Sequence, residues 1–508
     1  MGTGSPPGAP PGVAETHTAV VFFVGDRAYK VKKAVRLPFL DFSTPARRAI
    51  ACHREVELNR RIAPDVYLGV AEVSAPDRPD VIDDYVVVMR RMPEDRALAE
   101  LIDRGDVSVP DHVREIARVV AAFHERADRP SLPGAEVVDA LRRRWNENID
   151  EMLELRGMVA SSIDFGELEA VRALVEEFLT GREELFEQRV EAGFLRDGHG
   201  DLQAADIYCL DDGPRILDCI EFDDALRVVD VADDVAFLAM DLERLGAVGA
   251  SQTLVRWYDE FSGHALPRAL VDHYIAYRAG VRAKVAAIRG IQQFENDTVG
   301  AREAFDLAAQ LLRQCVEHLE RAQVRLVLVG GLPGTGKTTL AEAIGELWQW
   351  PVLRSDVVRK QQAGLDPTTP APATYGAGLY AASNTDAVYD ELLREADLLL
   401  RMGESVIVDA SWSSAAQRAR ARGVASACVA RLVELRCDVE PDVARSRMQT
   451  RAAGAQDASD ATAEIAEQMR RAEDPWPEAR RVETARPVAD LVRELDPLLV
   501  RPSTRMRR

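Results

Sequence analysis

The stretch GLPGTGKT at residues 331–338 decides the fold of the C-terminal half of this chain. It fits the pattern G-x-x-x-x-G-K-[ST], it follows the apolar run VRLVLV at 324–329, and the helix-compatible run TLAEAIGELW follows it at 339–348. Such a strand–loop–helix unit binds phosphate because its glycines let backbone N–H groups turn toward phosphate oxygens, while the helix N-terminus adds positive potential. We therefore predict a phosphate-binding loop.

The residue types inside this loop have separate expected roles. Lys337 is expected to reach the β- and γ-phosphates of ATP, and the Thr338 hydroxyl is expected to ligate Mg²⁺. The other loop positions are also expected to contact the nucleotide, namely Gly331, Gly334, Thr335, Gly336 and Thr339. The predicted cofactors of this half are therefore ATP and Mg²⁺.

A second apolar run, VIVD at 406–409, ends in a carboxylate. Beside a phosphate loop, an acidic residue at a strand end is suited to hold Mg²⁺, so we predict Asp409 as a metal ligand. An Asp that caps a strand or turn is the alternative interpretation of the same spacing. The neighbouring phosphate loop favours the metal.

The rest of this half alternates between strand and helix patterns. Apolar strands around Val352, 406–408 and 432–435 are separated by helix-compatible segments. This alternation is typical of a parallel α/β sheet. The predicted fold of the C-terminal half is therefore an α/β P-loop domain.

The N-terminal half begins with β-rich segments instead. AVVFFVGDRAYKVKK at 19–33 holds two apolar runs around Gly25-Asp26, which predicts a hairpin. A charged run that opens with Thr-Pro predicts a helix over 44–62. A strand at 86–92 follows, and later segments are mostly helix-compatible apart from a second hairpin around 211–213. An α+β domain is expected.

The length of 508 residues also favours more than one domain. The change from a long helix-compatible region to a strand places the boundary near Ala322. We predict a flexible tail at 1–18, an α+β domain at 19–322, the P-loop domain at 323–500 and a basic tail at 501–508.

Three acidic residues of the N-terminal half follow the spacing of a kinase catalytic loop. HGDLQAAD at 199–206 contains Asp201 and Asp206, and Asp218 follows on the next strand pattern. In such loops the first Asp accepts the proton of the acceptor hydroxyl, and the two later side chains bind Mg²⁺. We therefore predict Asp201 as the catalytic base and Asp206 and Asp218 as metal ligands.

A lysine on the second strand is expected to contact the ATP phosphates. We predict Lys30 for this role and Glu55, on the helix over 44–62, as the residue that positions it. Lys32 is the competing lysine, because residues two apart share one face of a strand. Glu57 is the lower-ranked partner. The segment Met89–Met92 is the predicted adenine hinge, with core packing as the alternative.

Composition narrows the class of protein. The formal net charge of −20 argues against a general nucleic-acid or anionic-membrane binder, since such surfaces need basic footprints. The six cysteines are scattered without a C-x-x-C pair, which favours reduced thiols in the cytosol. The first residues lack a basic region and an apolar region of a secretory signal. We expect a cytoplasmic protein that acts on a small molecule.

The C-terminal half resembles a known family. VLRSDVVRK at 352–360, the segment 375–412 and the arginines within 445–451 are similar to the P-loop kinase-like family related to gluconate, adenylylsulfate and zeta-toxin-type kinases. The resemblance implies that Asp356 is the base that orients the acceptor and that Arg359 contacts the substrate. It also implies Arg447 and Arg451 as lid residues over the γ-phosphate, although a solvated helix face is the alternative for this pair.

The N-terminal half resembles the aminoglycoside phosphotransferase and choline kinase-like superfamily. HGDL at 199–202, ILDCIEF at 216–222 and VVDVADDVAFL at 228–238 carry this resemblance. With the appended P-loop half, the chain looks like the bifunctional aminoglycoside phosphotransferase-like/ATP-binding proteins. Further segments that support this are ETHTAVVFF at 15–23, LDFSTPARR at 40–48 and ELNRRIAPDVYLG at 57–69.

Two positions depart from the superfamily pattern. Asp206 stands where Asn is usual, and Gln203 stands where His is often found. Asp206 still offers oxygen ligands to Mg²⁺, but an added carboxylate near Asp201 and Asp218 disfavours ionisation of all three. A binding-only N-terminal site is therefore an open alternative.

These observations lead to one expected function and one alternative. We expect an ATP-dependent phosphotransferase with two nucleotide sites, acting on a small hydroxylated metabolite. The alternative is an ATP-binding regulatory or stress protein, in which a degenerate kinase-like half senses a ligand and the P-loop half switches.

Overall fold

The computed structural model describes most of the chain. The described residues are 12–15, 18–37, 40–75, 77–78, 80–159, 163–366, 369, 381–454 and 463–500, with side chains left out at 451–454, 463 and 500. The predicted basic tail at 501–508 lies outside this part, as does most of the predicted tail at 1–18.

An antiparallel sheet opens the N-terminal half. Its five strands lie in the order β1-β2-β3-β7-β6. They are β1 (Gly12–Glu15), β2 (Ala19–Val24), β3 (Arg27–Lys32), β6 (Tyr67–Val73) and β7 (Asp84–Arg90). The predicted hairpin is confirmed, since Val24 pairs with Arg27 and Gly25 takes a φ of 60°, a left-handed conformation that glycine adopts without strain. Between β3 and β6 lie the short pair β4 (Arg36–Leu37) and β5 (Leu40–Asp41) and helix α1 (Pro45–Asn59).

Residues 12–15 correct one prediction. They were expected within a flexible tail, but they form strand β1 and pair antiparallel with β2 along Gly12 to Glu15. β1 is an edge strand whose residues are mostly exposed, so its sequence carries little apolar pattern.

The remainder of this half is mostly helical, with two small β pairs inserted. The helices are α2 (Leu98–Asp103), α3 (Val109–Arg126), α4 (Gly134–Glu154), α5 (Glu167–Gly181), α6 (Glu183–Glu191), α7 (Val231–Arg244), α8 (Val248–Ser262), α9 (Arg268–Gln293) and α10 (Thr298–Ala322). The strands are β8 (Leu195–Asp197), β9 (Ile207–Leu210), β10 (Gly213–Ile216) and β11 (Val228–Asp230). The predicted second hairpin is the β9–β10 pair, in which Leu210 faces Gly213. The predicted α+β fold is present.

The C-terminal half is built on a parallel sheet, as predicted. The strand order is β13-β14-β12-β15-β16, for β12 (Arg325–Gly330), β13 (Val352–Arg354), β14 (Val406–Asp409), β15 (Arg431–Asp438) and β16 (Arg480–Glu483). The helices are α11 (Lys337–Trp348), α12 (Ser355–Gln362), α13 (Ala382–Arg401), α14 (Ala415–Ala427), α15 (Pro441–Gly454), α16 (Ala463–Ala472) and α17 (Val488–Val500). All residues of β12 are buried, because helices cover both faces of a parallel sheet.

The two halves share apolar and polar contacts. One cluster of buried apolar side chains runs from α3 through α9 and α10 to β12 and α13. At the junction of α5 and α6, the buried Arg182 side chain donates to the Cys428 carbonyl at 2.9 Å. A Cβ added at Gly181 would lie 2.6 Å from the same carbonyl oxygen. The halves therefore pack directly against each other. Within the described residues, no helix has the length and apolar character to cross a membrane.

Candidate active sites

The loop between β12 and α11 depends on glycine at three positions. Gly331, Gly334 and Gly336 take φ values of 141°, 80° and 81°, which residues with a side chain rarely adopt. An added Cβ would lie 2.6 Å from the Cys437 carbonyl oxygen at Gly331 and 2.6 Å from that of Ala444 at Gly334. The loop therefore holds its turn only with these residues, and α11 begins at Lys337 with its N-terminus facing the loop.

The Thr338 hydroxyl and the Asp409 carboxylate meet beside this loop. Thr338 Oγ1 donates to Asp409 Oδ2 at 2.7 Å, because β14 pairs with β12 so that Asp409 lies opposite Val329. Burial raises the pKa of Asp409, while the nearby Lys337 cation opposes the rise. The other carboxylate oxygen, Oδ1, is buried without a hydrogen-bond partner among the described atoms. An unsatisfied buried carboxylate oxygen next to a hydroxyl fits the oxygen ligands that Mg²⁺ prefers.

A cleft of about 380 Å³ opens from the loop toward α12, α13 and α16. Lys337, Asp356 and Arg359 line it, and the Arg359 guanidinium donates to Asp356 Oδ1 at 2.8 Å. Hydroxyl groups line the same cleft, including those of Tyr389 and Ser411, whose oxygens lie 3.2 Å apart. The structure thus brings the predicted phosphate lysine and the predicted acceptor-orienting carboxylate into one cavity.

Other predicted residues of this half have different surroundings. The Thr335 hydroxyl donates to the Leu332 carbonyl at 2.8 Å, so it stabilises the turn itself. Thr339 is exposed on α11. Arg447 lies against the loop, with its Nη2 donating to the Thr484 carbonyl at 2.8 Å. Arg451 is in α15, but its side chain is outside the described part.

In the N-terminal half, Lys30 bridges two carboxylates. Its Nζ lies 2.9 Å from Glu55 Oε1 and also donates to Asp218. Burial works to raise the pKa of Glu55, but Lys30 and Lys32 hold it at about 2. The lysine on β3, the glutamate on α1 and the acidic residue after β10 therefore form one chain of ion pairs.

Lys32 lies on the same face of β3 and also contacts Glu55, but its second partner is Glu221 and not Asp218. Its Nζ contacts Glu55 Oε2 at 2.7 Å and donates to Glu221, and its side chain is only 3 % exposed. Glu57 is 68 % exposed and pairs with Arg54 on the surface. Lys30 and Glu55 are thus the pair that reaches Asp218.

The loop that carries Asp201 is fixed from below by Asp234 on α7. Asp234 accepts hydrogen bonds from the backbone N–H groups of His199, at 2.6 Å, and Gly200, at 2.7 Å. The same carboxylate contacts His124 Nε2 at 3.2 Å. Gly200 has a φ of 84°, and a Cβ there would lie 3.0 Å from the Leu226 carbonyl oxygen. The backbone before Asp201 is therefore held in one conformation.

The carboxylates of Asp201, Asp206 and Asp218 lie in one site. Burial raises the pKa of Asp201 to about 6, with Arg282 acting in the opposite direction and Asp218 in the same direction. Burial and the neighbouring Asp218 and Asp201 also raise the pKa of Asp206 well above its usual value, and Lys30 opposes this. The excess of negative charge fits a divalent cation held by Asp206 and Asp218.

Asp218 has a strained backbone. Its φ is 67°, a left-handed value that is uncommon outside glycine, and its N–H donates to the Tyr67 hydroxyl at 3.1 Å. The next N–H, of Cys219, donates to the Asn59 side chain at 2.9 Å. For this reason β10 ends at Ile216, and residues 217–222 form no strand.

Sequence reasoning missed several residues that shape this site. Arg278 on α9 forms a two-bond ion pair with Asp233 and donates to the Gly200 carbonyl at 3.1 Å. Arg282 lies one helical turn further along α9, and its charge opposes the rise in the pKa of Asp201. The i, i+4 spacing of the two arginines on one helix was the available indication.

Comparisons with known proteins match part of the C-terminal half and, separately, nearly the whole chain. The family described as an AAA domain matches residues 326–475, which include the phosphate loop and the cleft. The uncharacterised protein Rv2004c of Mycobacterium tuberculosis is 43 % identical over 476 residues, covering 94 % of this chain and 92 % of the relative.

Solved structures are similar to each half separately. A choline/ethanolamine kinase family protein from Mesorhizobium loti is 16 % identical over 61 % of this chain and 92 % of its own, with a TM-score of 0.35. The adenylylsulfate (APS) kinase CysC of Mycobacterium tuberculosis is 21 % identical over 35 % of this chain and 98 % of its own, with a TM-score of 0.28. From the match to Rv2004c across nearly the whole length, the chain belongs to the same family as that protein.

Proposed function

We infer that this chain is an ATP-dependent phosphotransferase that acts on small hydroxylated metabolites and uses two nucleotide sites. The observation that carries this proposal is the pairing of Thr338 with Asp409 beside a phosphate loop that opens into a cleft with Asp356. A protein that only binds phosphate needs no second carboxylate facing the phosphate lysine. A kinase needs one to orient the acceptor hydroxyl.

In the C-terminal half, Lys337 would bind the β- and γ-phosphates, and the loop N–H groups would surround them. Mg²⁺, held by Thr338 and Asp409, would neutralise phosphate charge. Asp356 would accept the proton of the acceptor hydroxyl as the hydroxyl oxygen bonds to the γ-phosphorus. The bond from that phosphorus to the β–γ bridging oxygen would break at the same time and release ADP. Arg359 keeps the Asp356 carboxylate oriented through their 2.8 Å contact.

In the N-terminal half, Asp201 would have the same role as Asp356. Lys30 would bind ATP phosphates while Glu55 holds it in place at 2.9 Å. Asp206 and Asp218 would hold Mg²⁺. A pKa of about 6 leaves Asp201 mostly ionised at neutral pH, so that its carboxylate can accept the hydroxyl proton.

Location and partners belong to the same proposal. The acceptor is a small molecule, and we place the protein in the cytosol, where ATP is available and thiols stay reduced. All six cysteines are buried and free, which agrees with a reducing compartment.

The test is ADP release by the full-length chain with a library of hydroxylated metabolites. We expect acceptor-dependent ADP formation that falls when Asp201→Asn and Lys337→Ala are introduced singly and disappears when they are combined. Acceptor-independent ATP binding with no turnover by the unmodified chain would overturn the proposal.

A regulatory function is the second candidate, and two observations favour it. Asp206 puts a third carboxylate in the N-terminal site, and the Lys30–Asp218 ion pair closes the position that nucleotide phosphates would use. In addition, the apolar cluster shared by the halves offers a path for a change at one site to reach the other. This candidate predicts that ATP changes the exposure of the C-terminal cleft to hydrogen exchange without any acceptor.

A further inference from the structure

The Asp201 site contains an arginine whose charge acts on Asp201 but which forms no ion pair with it. Arg282 lies on α9, one turn beyond Arg278, and its side chain is partly exposed. Among the described residues, no hydrogen-bond or ion-pair partner contacts it. On a chain with a net charge of −20, where most arginines near the sites are paired, this isolated cation needs an explanation.

Arg278, the neighbouring arginine on α9, has a structural role. All three guanidinium nitrogens of Arg278 are used, two by Asp233 at 2.6 and 2.8 Å and one by the Gly200 carbonyl at 3.1 Å. Arg278 is 7 % exposed and therefore fixes the loop before Asp201 rather than reaching a ligand. This contact also brings the α9 face that carries Arg282 alongside the catalytic carboxylate.

The direction from which Arg282 approaches separates it from the ATP phosphates. Lys30 reaches the carboxylates from β3, on the sheet side, whereas Arg282 comes from the helical region on α9. The contact of Arg278 with the Gly200 carbonyl brings the next turn of α9, which carries Arg282, toward Asp201, and the Arg282 charge opposes the rise in the pKa of Asp201. An acceptor whose hydroxyl meets Asp201 would carry its neighbouring substituents past this guanidinium.

On the basis of the proposed function, we propose that the acceptor of the N-terminal half is anionic, with a carboxylate or phosphate group near its reactive hydroxyl that binds Arg282. A planar guanidinium donates two parallel hydrogen bonds to either group, which gives both affinity and orientation. A cationic acceptor would instead meet an unpaired positive charge in a partly dehydrated site. The resemblance to aminoglycoside and choline kinases therefore does not extend to the charge of the substrate.

The test uses the full-length chain with Lys337→Ala, so that only the N-terminal site turns over. Hydroxylated metabolites are supplied in matched sets that differ by charge, such as glycerol, glycerate and glycerol 3-phosphate, with choline as a cationic member, inside a broader library. We expect the accepted compounds to be anionic, and the carboxylate and phosphate members of each set identify which anion is preferred.

The variant Arg282→Gln should then raise KM for the anionic acceptor by about tenfold or more while kcat and the KM for ATP change little, because it removes a charge-assisted contact made in the ground state as well as the transition state. Arg282→Lys should recover part of the affinity. Arg289→Gln, on an exposed position of the same helix, should match the parent chain.

Different failures have different meanings. Turnover restricted to neutral or cationic compounds, or a loss of kcat in Arg282→Gln that is equal for all acceptors and shifts the pH profile, would overturn this inference alone, since Arg282 would then act only on Asp201. Absence of turnover with every compound, together with Mg²⁺-ATP affinity that Asp218→Ala leaves unchanged, would overturn the proposed N-terminal activity and this inference with it.

Discussion

The two candidate sites are built in opposite ways. In the C-terminal half, one contiguous loop at 331–338 carries nearly all the residues that we propose to contact phosphate, and Asp409, the proposed Mg²⁺ ligand, comes from a second strand. In the N-terminal half, Lys30 and Asp218 touch although they are 188 positions apart in the chain. A local motif is thus readable from eight consecutive letters, whereas a dispersed site exists only once the helices and the sheet have packed.

The sites also differ in how their charges are balanced without a nucleotide. Asp409 keeps one buried oxygen without a hydrogen bond, while Asp218 is already paired with Lys30. An unsatisfied group is ready for a ligand, but a satisfied ion pair has to rearrange first. We therefore expect the P-loop site to bind Mg²⁺-ATP with little rearrangement and the kinase-like site to open Lys30–Asp218.

The largest effect should come from the catalytic carboxylate of the N-terminal site. Asp201→Asn removes the proton acceptor and should lower kcat of that half by about 10²–10⁴-fold, the usual contribution of a general base. Its affinity for ATP should remain, because Lys30 and Asp218 are untouched. Initial rates in the Lys337→Ala background, with ATP binding followed by calorimetry, measure both quantities. A parallel loss of ATP affinity would assign Asp201 to the nucleotide instead.

Substitution of the two lysines of β3 should affect two different properties, the stability of the fold for Lys32 and the affinity for ATP for Lys30. Lys32 is 3 % exposed between Glu55 and Glu221, so Lys32→Met leaves the buried Glu221 without its ion-pair partner and Glu55 with Lys30 alone, and it should destabilise the chain by about 3–5 kcal/mol. Lys30 is 14 % exposed and its partner Asp218 is 44 % exposed, so water can replace Lys30. Lys30→Met should therefore lower ATP affinity more than stability. Urea unfolding and ATP titration of both variants make the comparison, and the reverse ranking would exchange their roles.

The next largest effect should come from substitution of Lys337, the P-loop lysine. Lys337→Ala removes a preorganised cation from the phosphates and should reduce kcat of the C-terminal half by about 10²–10³-fold, in the range found for loss of one charge-stabilising donor. Arg493→Ala is the matched control, because it deletes an exposed cation of the same half on α17. Rates are measured in the Asp201→Asn background. Equal rates for Lys337→Ala and Arg493→Ala would contradict the P-loop assignment.

The smallest effect concerns a buried histidine on the helix that leads into the P-loop half. Burial works to lower the pKa of His318, but hydrogen bonds to Asp272 and Glu243, each 2.6 Å long, raise it to about 9. Because the folded pKa lies above the unfolded value of 6.5, the stabilisation is full below pH 6.5 and is lost as pH rises through 9. The shift corresponds to about 3 kcal/mol.

The measurement is the urea midpoint between pH 6 and pH 10, compared for the parent chain and His318→Gln. The parent should lose stability across this range and the variant should lose less, while His53→Gln, at an exposed position, should follow the parent. Since α10 runs directly into β12, a common pH-dependent transition seen in both halves would show that they unfold together.

Local patterns explain which parts of the fold were predictable. The Gly25 hairpin, the P-loop and the buried strands β12 and β14 follow from turn residues and apolar runs in the sequence. β16 was missed because only Val482 of its sequence RRVE is buried, so this edge strand has no apolar alternation. The helix-compatible stretch around 165–190 is divided into α5 and α6, since Arg182 takes a φ of −128° between them.

The candidate sites were predictable only where roles follow from residue type and spacing. Lys30 and Lys32 share a strand face, so the choice between them depended on which carboxylate each one reaches. Arg282 could not be predicted as a site residue, because its position depends on the packing of α9 against the loop before Asp201, which one sequence does not reveal. The strained φ of Asp218 is likewise a product of Tyr67 and Asn59, which hold the backbone on both sides.

The contact made by Arg182 bears on how this chain can be divided. Burial lowers the pKa of its guanidinium to about 10, and the carbonyl of Cys428 belongs to the other half of the protein. A cut near Ala322 would leave that cation without the carbonyls of Cys428 and Val429 and would expose the apolar faces of α13 and β12. Any gene that separates the two halves therefore has to replace the carbonyls that bind the Arg182 guanidinium as well as the linker, which favours inheritance of the two halves as a single polypeptide.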